Sequence, residues 1–169
     1  MRLTFACTVA LAALIAGPVA AQPAPPQHFI KKAIRGDNSE IRLGRLAEQR
    51  GDSPGARRFG STLVRDHSTA KSQAERVANR IGVTPPHDMM PEAEAERGRL
   101  MGLHGRAFDG EFVRYMVNDH KNDIRDFREE ADAHDGPVSR LAREQLPTLH
   151  KHLAIAESLQ GREERMSGR

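Results

Sequence analysis

Two stretches, LVRDH at 63–67 and MVNDH at 116–120, each close an apolar run on a histidine, and each has a phenylalanine eight residues earlier, Phe59 and Phe112. Imidazoles and carboxylates are the side chains that hold first-row metal ions or move protons near neutral pH. Neither enters an apolar core cheaply, since a buried polar group without a partner costs roughly 2–7 kcal/mol. Placed on helices at about 100° per residue, His67 and His120 fall near the centres of apolar stripes. Asp37, Glu40 and Asp123 face inward on theirs, and His150 lies on the flank of a fourth. Asp37, Glu40, His67, His120, Asp123 and His150 therefore form the candidate metal set. Three imidazoles and three carboxylates suit the mixed nitrogen and oxygen sites that take Zn, Fe, Mn or Cu. A hydrogen-bonded network that only fixes helix register would use the same residues without a metal.

The elements that must position them follow from the apolar period. Four segments repeat at helical spacing, over roughly 28–50, 54–81, 109–133 and 137–159, and none alternates like a strand. Gly51-Asp52-Ser53-Pro54 and Asp135-Gly136-Pro137 are tight turns with a proline in the following first helical turn. Between the second and third segments lies a long link with a short helix expected at 91–103. Long striped helices, two tight turns and one crossover predict an all-α, ferritin-like four-helix bundle. An up-down bundle and a pair of dimerising hairpins are the alternatives. Glu40 lies 14 residues before Pro54 and His67 13 after it, which puts both at the same depth, about 20 Å from the turn. Asp123 and His150 stand in the same relation to Pro137.

That symmetry is an internal repeat. Shifting the chain by 83 residues brings nine identities between residues 29–75 and 112–158, among them Phe29 on Phe112, Pro54 on Pro137 and His67 on His150. Chance would give roughly three. The first hairpin thus corresponds to the second.

Composition bounds the setting. Arg2 followed by the apolar run Leu3–Ala16 and by Val19-Ala20-Ala21 reads as a secretory signal peptide over 1–21. The only cysteine, Cys7, leaves with it, so the exported chain holds its fold without a disulfide. The expected compartment is the periplasm or the outer membrane. Residues 22–27 read as a flexible spacer, 28–160 as the helical domain and 161–169 as a disordered tail. The mature chain has 25 basic and 23 acidic residues, a charge of +2, with no basic block interleaved with aromatics; this excludes a typical nucleic-acid binder. No segment of the mature chain reads as an integral membrane span.

Other polar residues carry less. Asp66 points about 100° away from His67, as a flank residue or an outer partner, and His152 is turned about 200° from His150 and reads as solvated. Met89-Met90 reads as apolar cover. His28, His87, His104 and His134 read as surface or loop residues, and Pro147 predicts a kink one turn before His150.

The stretches SEIRLGRLAEQR (39–50), FGSTLVRDHSTA (59–70), FDGEFVRYMVNDH (108–120) and REQLPTLHKHLAIAESL (143–159) together resemble the exported bacterial family called domain of unknown function 4142. The resemblance spans about Phe29 to Leu159 and implies a ferritin-like bundle. By position, the family's recurring polar residues fall on Glu40, His67, His120 and His150. Di-iron ferritins would need Glu at 64 and 147, where this chain has Val64 and Pro147, which argues against iron storage or ferroxidase chemistry. Three readings follow: a metal-binding protein in metal handling or envelope stress; a bundle whose polar core is structural and which acts through a protein partner or as a homodimer; and a metal-dependent oxidase, which the missing Glu pair disfavours.

Overall fold

The computed structural model describes residues 25–133 and 135–167. The expected signal peptide, the first part of the spacer and His134 lie outside the described residues. Five helices follow in order: α1 (Pro26–Arg50), α2 (Pro54–Arg80), α3 (Pro91–Met101), α4 (Gly105–Ala133) and α5 (Pro137–Ser167). The described residues contain no strand. Helix α1 begins at Pro26, inside the expected spacer, and α5 continues as helix to Ser167, past the expected end of the domain at 160. Helix α5 also runs through Pro147 without interruption.

Local chemistry sets the ends. The Ser53 hydroxyl accepts from the Ala56 backbone N–H at 3.0 Å, and Pro54 occupies the first turn, where its missing N–H is no loss. Helix α2 closes on Gly82, whose φ of 73° is a left-handed conformation that glycine adopts without steric cost.

The α1–α2 turn is pinned to the start of α4. Buried Asp109 accepts from the backbone N–H groups of Asp52 at 2.8 Å and Ser53 at 2.7 Å. Helix α4 therefore starts at the end of the bundle where α1 turns into α2, and the crossover returns along the full length of α2. It does so against α1. Asn38 donates to the carbonyls of Pro86 and Asp88, the Ser39 hydroxyl accepts from Met90 N–H, and Arg50 donates to the carbonyls of Met101 and Leu103.

The core is two apolar clusters rather than one. The first gathers Phe29, Ile30, Ile34, Ala74, Ile124 and Phe127 with neighbours from α5. The second gathers Leu43, Phe59, Leu63, Phe108, Phe112 and Met116 with Ala156 and Leu159. Each long helix places buried or half-buried polar residues between the two: 37–40 on α1, 67 on α2, 119–120 on α4 and 152 on α5. A polar layer thus crosses the bundle at one level, as the matched depths from the turns require.

Candidate metal centre

Three imidazoles meet in that layer, and they are His67, His120 and His152. They are 4 %, 0 % and 0 % exposed. Their ring centroids lie 6.1 Å (His67–His120), 5.2 Å (His67–His152) and 5.3 Å (His120–His152) apart. One ligand atom from each lies within 4.8 Å of those from the other two.

Each ring has one nitrogen engaged and one without a partner. His120 Nδ1 lies 3.0 Å from the Met116 carbonyl, which can only accept, so Nδ1 carries the proton and Nε2 the lone pair. His152 Nε2 lies 2.9 Å from Asp66 Oδ2. Burial raises the Asp66 carboxyl, but hydrogen bonds from His152, Lys151 and Arg65 outweigh it and hold the group well below the usual carboxylate range. Asp66 is thus an acceptor, His152 donates from Nε2, and Nδ1 keeps its lone pair. His67 Nδ1 is 2.9 Å from Asp37 Oδ1, which likewise leaves Nε2 facing inward. His67 Nε2, His120 Nε2 and His152 Nδ1 have no hydrogen-bond partner. Carboxylates and carbonyls that fix the outer nitrogen of an imidazole are the usual support of a metal-ligating histidine.

Glu40 is 1 % exposed and sits against this group, its Oε2 3.7 Å from His67 Nε2 and its Oε1 3.5 Å from His120 Nδ1. Burial and then the neighbouring Asp119 push its carboxyl well above the ordinary range. Burial also raises Asp37, Asp119 and Asp123. The imidazoles move the other way. Burial and then the other rings depress His120 well below 6.5, and burial and then His67 take His152 to about 4. Near neutral pH both rings are neutral, the form that binds metal. Clustered buried imidazoles that each keep one nitrogen free, beside a buried carboxyl, are a donor set that can hold a transition metal.

The sequence reading of the fourth helix needs correcting. His150 is exposed and accepts from Arg128 at 3.1 Å, so it is not in the cluster; His152, read as solvated, takes its place. The buried stripe of α5 runs through Val138, Leu141, Gln145, Leu149, Ala156 and Leu159, and position 152 continues that phase while 150 is turned about 200° from it. The 83-residue identities aligned the wrong histidine because they follow local sequence, not the apolar phase of α5. Asp37, Glu40, His67 and His120 stand where expected. Asp123 is half-buried on the wall of a cavity of about 310 Å³ that also touches Asp37, Asp66 and His67. Asp119 was missed, and Asp66 was placed only as a flank or outer partner. The signal was present in the opening motifs: in both Asp-His pairs the histidine turns inward while the aspartate beside it reaches a second helix, Asp66 to His152 and Asp119 to Glu40. His28, His87 and His104 are exposed, and Met89 is buried in the second cluster, as expected.

The fold and the four-helix polar layer define a ferritin-like helical bundle of two hairpins. The sequence profile of DUF4142, a domain of unknown function, matches residues 15–159, and the chain belongs to that family. A crystal structure of a DUF305 fragment from Deinococcus radiodurans is similar in fold, with a TM-score of 0.72 at 21% identity over 84% of this chain and 99% of that one. None of the curated proteins compared matches the chain. No helix among the described residues is long and apolar enough to cross a membrane.

Proposed function

We propose that the protein binds a transition-metal ion in the middle of its bundle and serves metal handling or stress protection in the cell envelope after export. His67, His120 and His152 are the nitrogen ligands and Glu40 the fourth donor, while Asp37 and Asp66 orient the rings. One observation carries this reading. Three buried imidazoles from three helices each have one nitrogen engaged and the other free, and one ligand atom of each ring lies within 4.8 Å of those of the other two. Without a cation, three buried ring nitrogens and the Glu40 oxygens are left without a hydrogen-bond donor or acceptor to satisfy them, which is costly in a core. Nitrogen-rich sites with one carboxylate suit Zn, and also Fe, Mn or Cu. Export rests on the apolar N-terminal run and its small-residue cleavage pattern.

The test is thermal unfolding of untagged protein with and without added zinc. Binding to the native state alone raises stability by about 2.7 kcal/mol at a hundredfold excess over Kd. The expected result is a rise in Tm that His67→Ala abolishes. Equal destabilisation by His67→Ala with and without metal would instead mark the layer as packing.

A further inference from the structure

The nitrogen cluster leaves one side of the polar layer unexplained. Glu40 has two oxygens that take no hydrogen bond from a donor group of the protein, while a carboxyl–carboxyl contact with Asp119 acts to raise the Glu40 carboxyl and to lower that of Asp119. Oε2 faces His67 Nε2 and the nitrogen cluster. Oε1 lies 3.5 Å from His120 Nδ1, whose proton is already given to Met116. Ligand atoms of Glu40, Asp119 and His120 lie within 4.8 Å of one another. Asp123 follows one helical turn later on the same face of α4. Both aspartates act on Glu40 as like charges.

Lys32 acts on Asp123 at a distance but makes its ion pair with Asp126, and Lys121 pairs with Glu157. Among the described residues no lysine or arginine forms an ion pair with Glu40, Asp119 or Asp123. Carboxylates gathered in a core are stable when they share a proton or hold an ion. A second Asp-His pair that repeats the geometry of the first, with its aspartate reaching a buried carboxylate instead of an imidazole, favours the ion. Oxygen-only donors select hard divalent cations, Mn(II), Mg(II) or Ca(II), over the ions that prefer nitrogen.

We infer that the polar layer holds a second, oxygen-ligated divalent cation between Glu40 and Asp119, supported by Asp123, so that Glu40 bridges it to the nitrogen site. This rests on the metal reading above for Glu40. It makes the layer a centre for two unlike ions.

The experiment uses untagged protein stripped with a chelator, loaded with one equivalent of Zn(II) and titrated with Mn(II), with free Mn(II) read by electron paramagnetic resonance and zinc by elemental analysis. The expected result is one bound Mn(II) per chain beside one Zn(II). Asp119→Asn should weaken Mn(II) binding at least tenfold and leave the zinc content at one. Asp123→Asn should weaken it about threefold, a second check should Asp119→Asn fail to fold by circular dichroism. Zinc-loaded protein that takes up less than a tenth of an equivalent of Mn(II), or Asp119→Asn protein that binds it like wild type, overturns the inference and marks the Glu40–Asp119 contact as a shared proton. Protein that binds no zinc but still takes up Mn(II) through Asp119 overturns the nitrogen site and the bridge, and leaves the oxygen site standing.

Discussion

The two apolar clusters on either side of the polar layer are built differently. Around the α1–α2 turn, Phe59, Phe108 and Phe112 pack with ring centroids 5.9 Å (Phe59–Phe112) and 6.3 Å (Phe108–Phe112) apart, and Asp109 ties the turn to α4. Helices α1 and α2 approach so closely there that a Cβ on Gly60 would lie 2.5 Å from the Gly44 carbonyl oxygen. At the other end only Phe29 and Phe127 are aromatic, alanines fill much of the interface, and the 310 Å³ cavity lies between the helices. Its walls include the exposed Thr69, Glu144 and Lys151, so it opens to solvent, and they reach Asp37 and His67. One end fixes the depth and register of the helices; the other gives solutes an approach to the polar layer. A site that must be both held in place and reached needs both.

Mutations sharpen that contrast, and the largest effect belongs to the packed end. Phe112→Ala should lower unfolding free energy by about 3–5 kcal/mol, as measured by urea denaturation, because the space left among Phe59, Phe108 and Met116 has little freedom to collapse. A loss under 1 kcal/mol would remove the distinction between the two ends. Gly60→Ala should cost about 1–3 kcal/mol, since backbone rather than a flexible side chain stands in its way. Gly36→Ala is its counterpart at the hollow end. Gly36 lines the cavity, and a Cβ there meets nothing within 4 Å. That substitution should raise stability by about 0.5–1 kcal/mol through helix propensity alone.

Most of the architecture is legible in the sequence because apolar period, turn residues and matched depth all point the same way. Gly51–Pro54 and Asp135–Pro137 mark the hairpins, and the distances of Glu40 and His67 from Pro54 put them in one layer. The fourth corner was misread at a specific place. His150 and His152 differ by two residues, and the repeat favoured His150 through its match to His67. Only the phase of Gln145, Leu149 and Ala156 decides for His152, and Gln145 does not read as core until it is seen buried, donating to the Ala70 carbonyl. Asp119 was hidden for a related reason. Residues about 100° off a stripe look solvated in one helix but touch a neighbour in a bundle of four.

The layer between the two ends gives an effect in metal-free protein that appears only as pH changes. His152 titrates at about 4 in the fold and near 6.5 when unfolded. Between those values the unfolded chain binds a proton that the folded chain refuses. Its contribution is therefore complete above pH 6.5 and is lost as pH falls toward 4, by up to about 1.4 kcal/mol per pH unit. His152→Gln should flatten the stability profile by about one proton over that window in denaturation series from pH 4 to 7. An unchanged slope would mean that His152 is not buried in its neutral form.

The central claim is that three buried imidazoles hold the ion, with His152 on α5 in place of the repeat's His150. Zinc content of untagged, reconstituted protein tests it when His152→Ala and His150→Ala are measured side by side with wild type. The account predicts one zinc equivalent in wild type and His150→Ala, and less than a tenth in His152→Ala. Equal zinc in both variants, or less than a tenth of an equivalent in wild type, would contradict it.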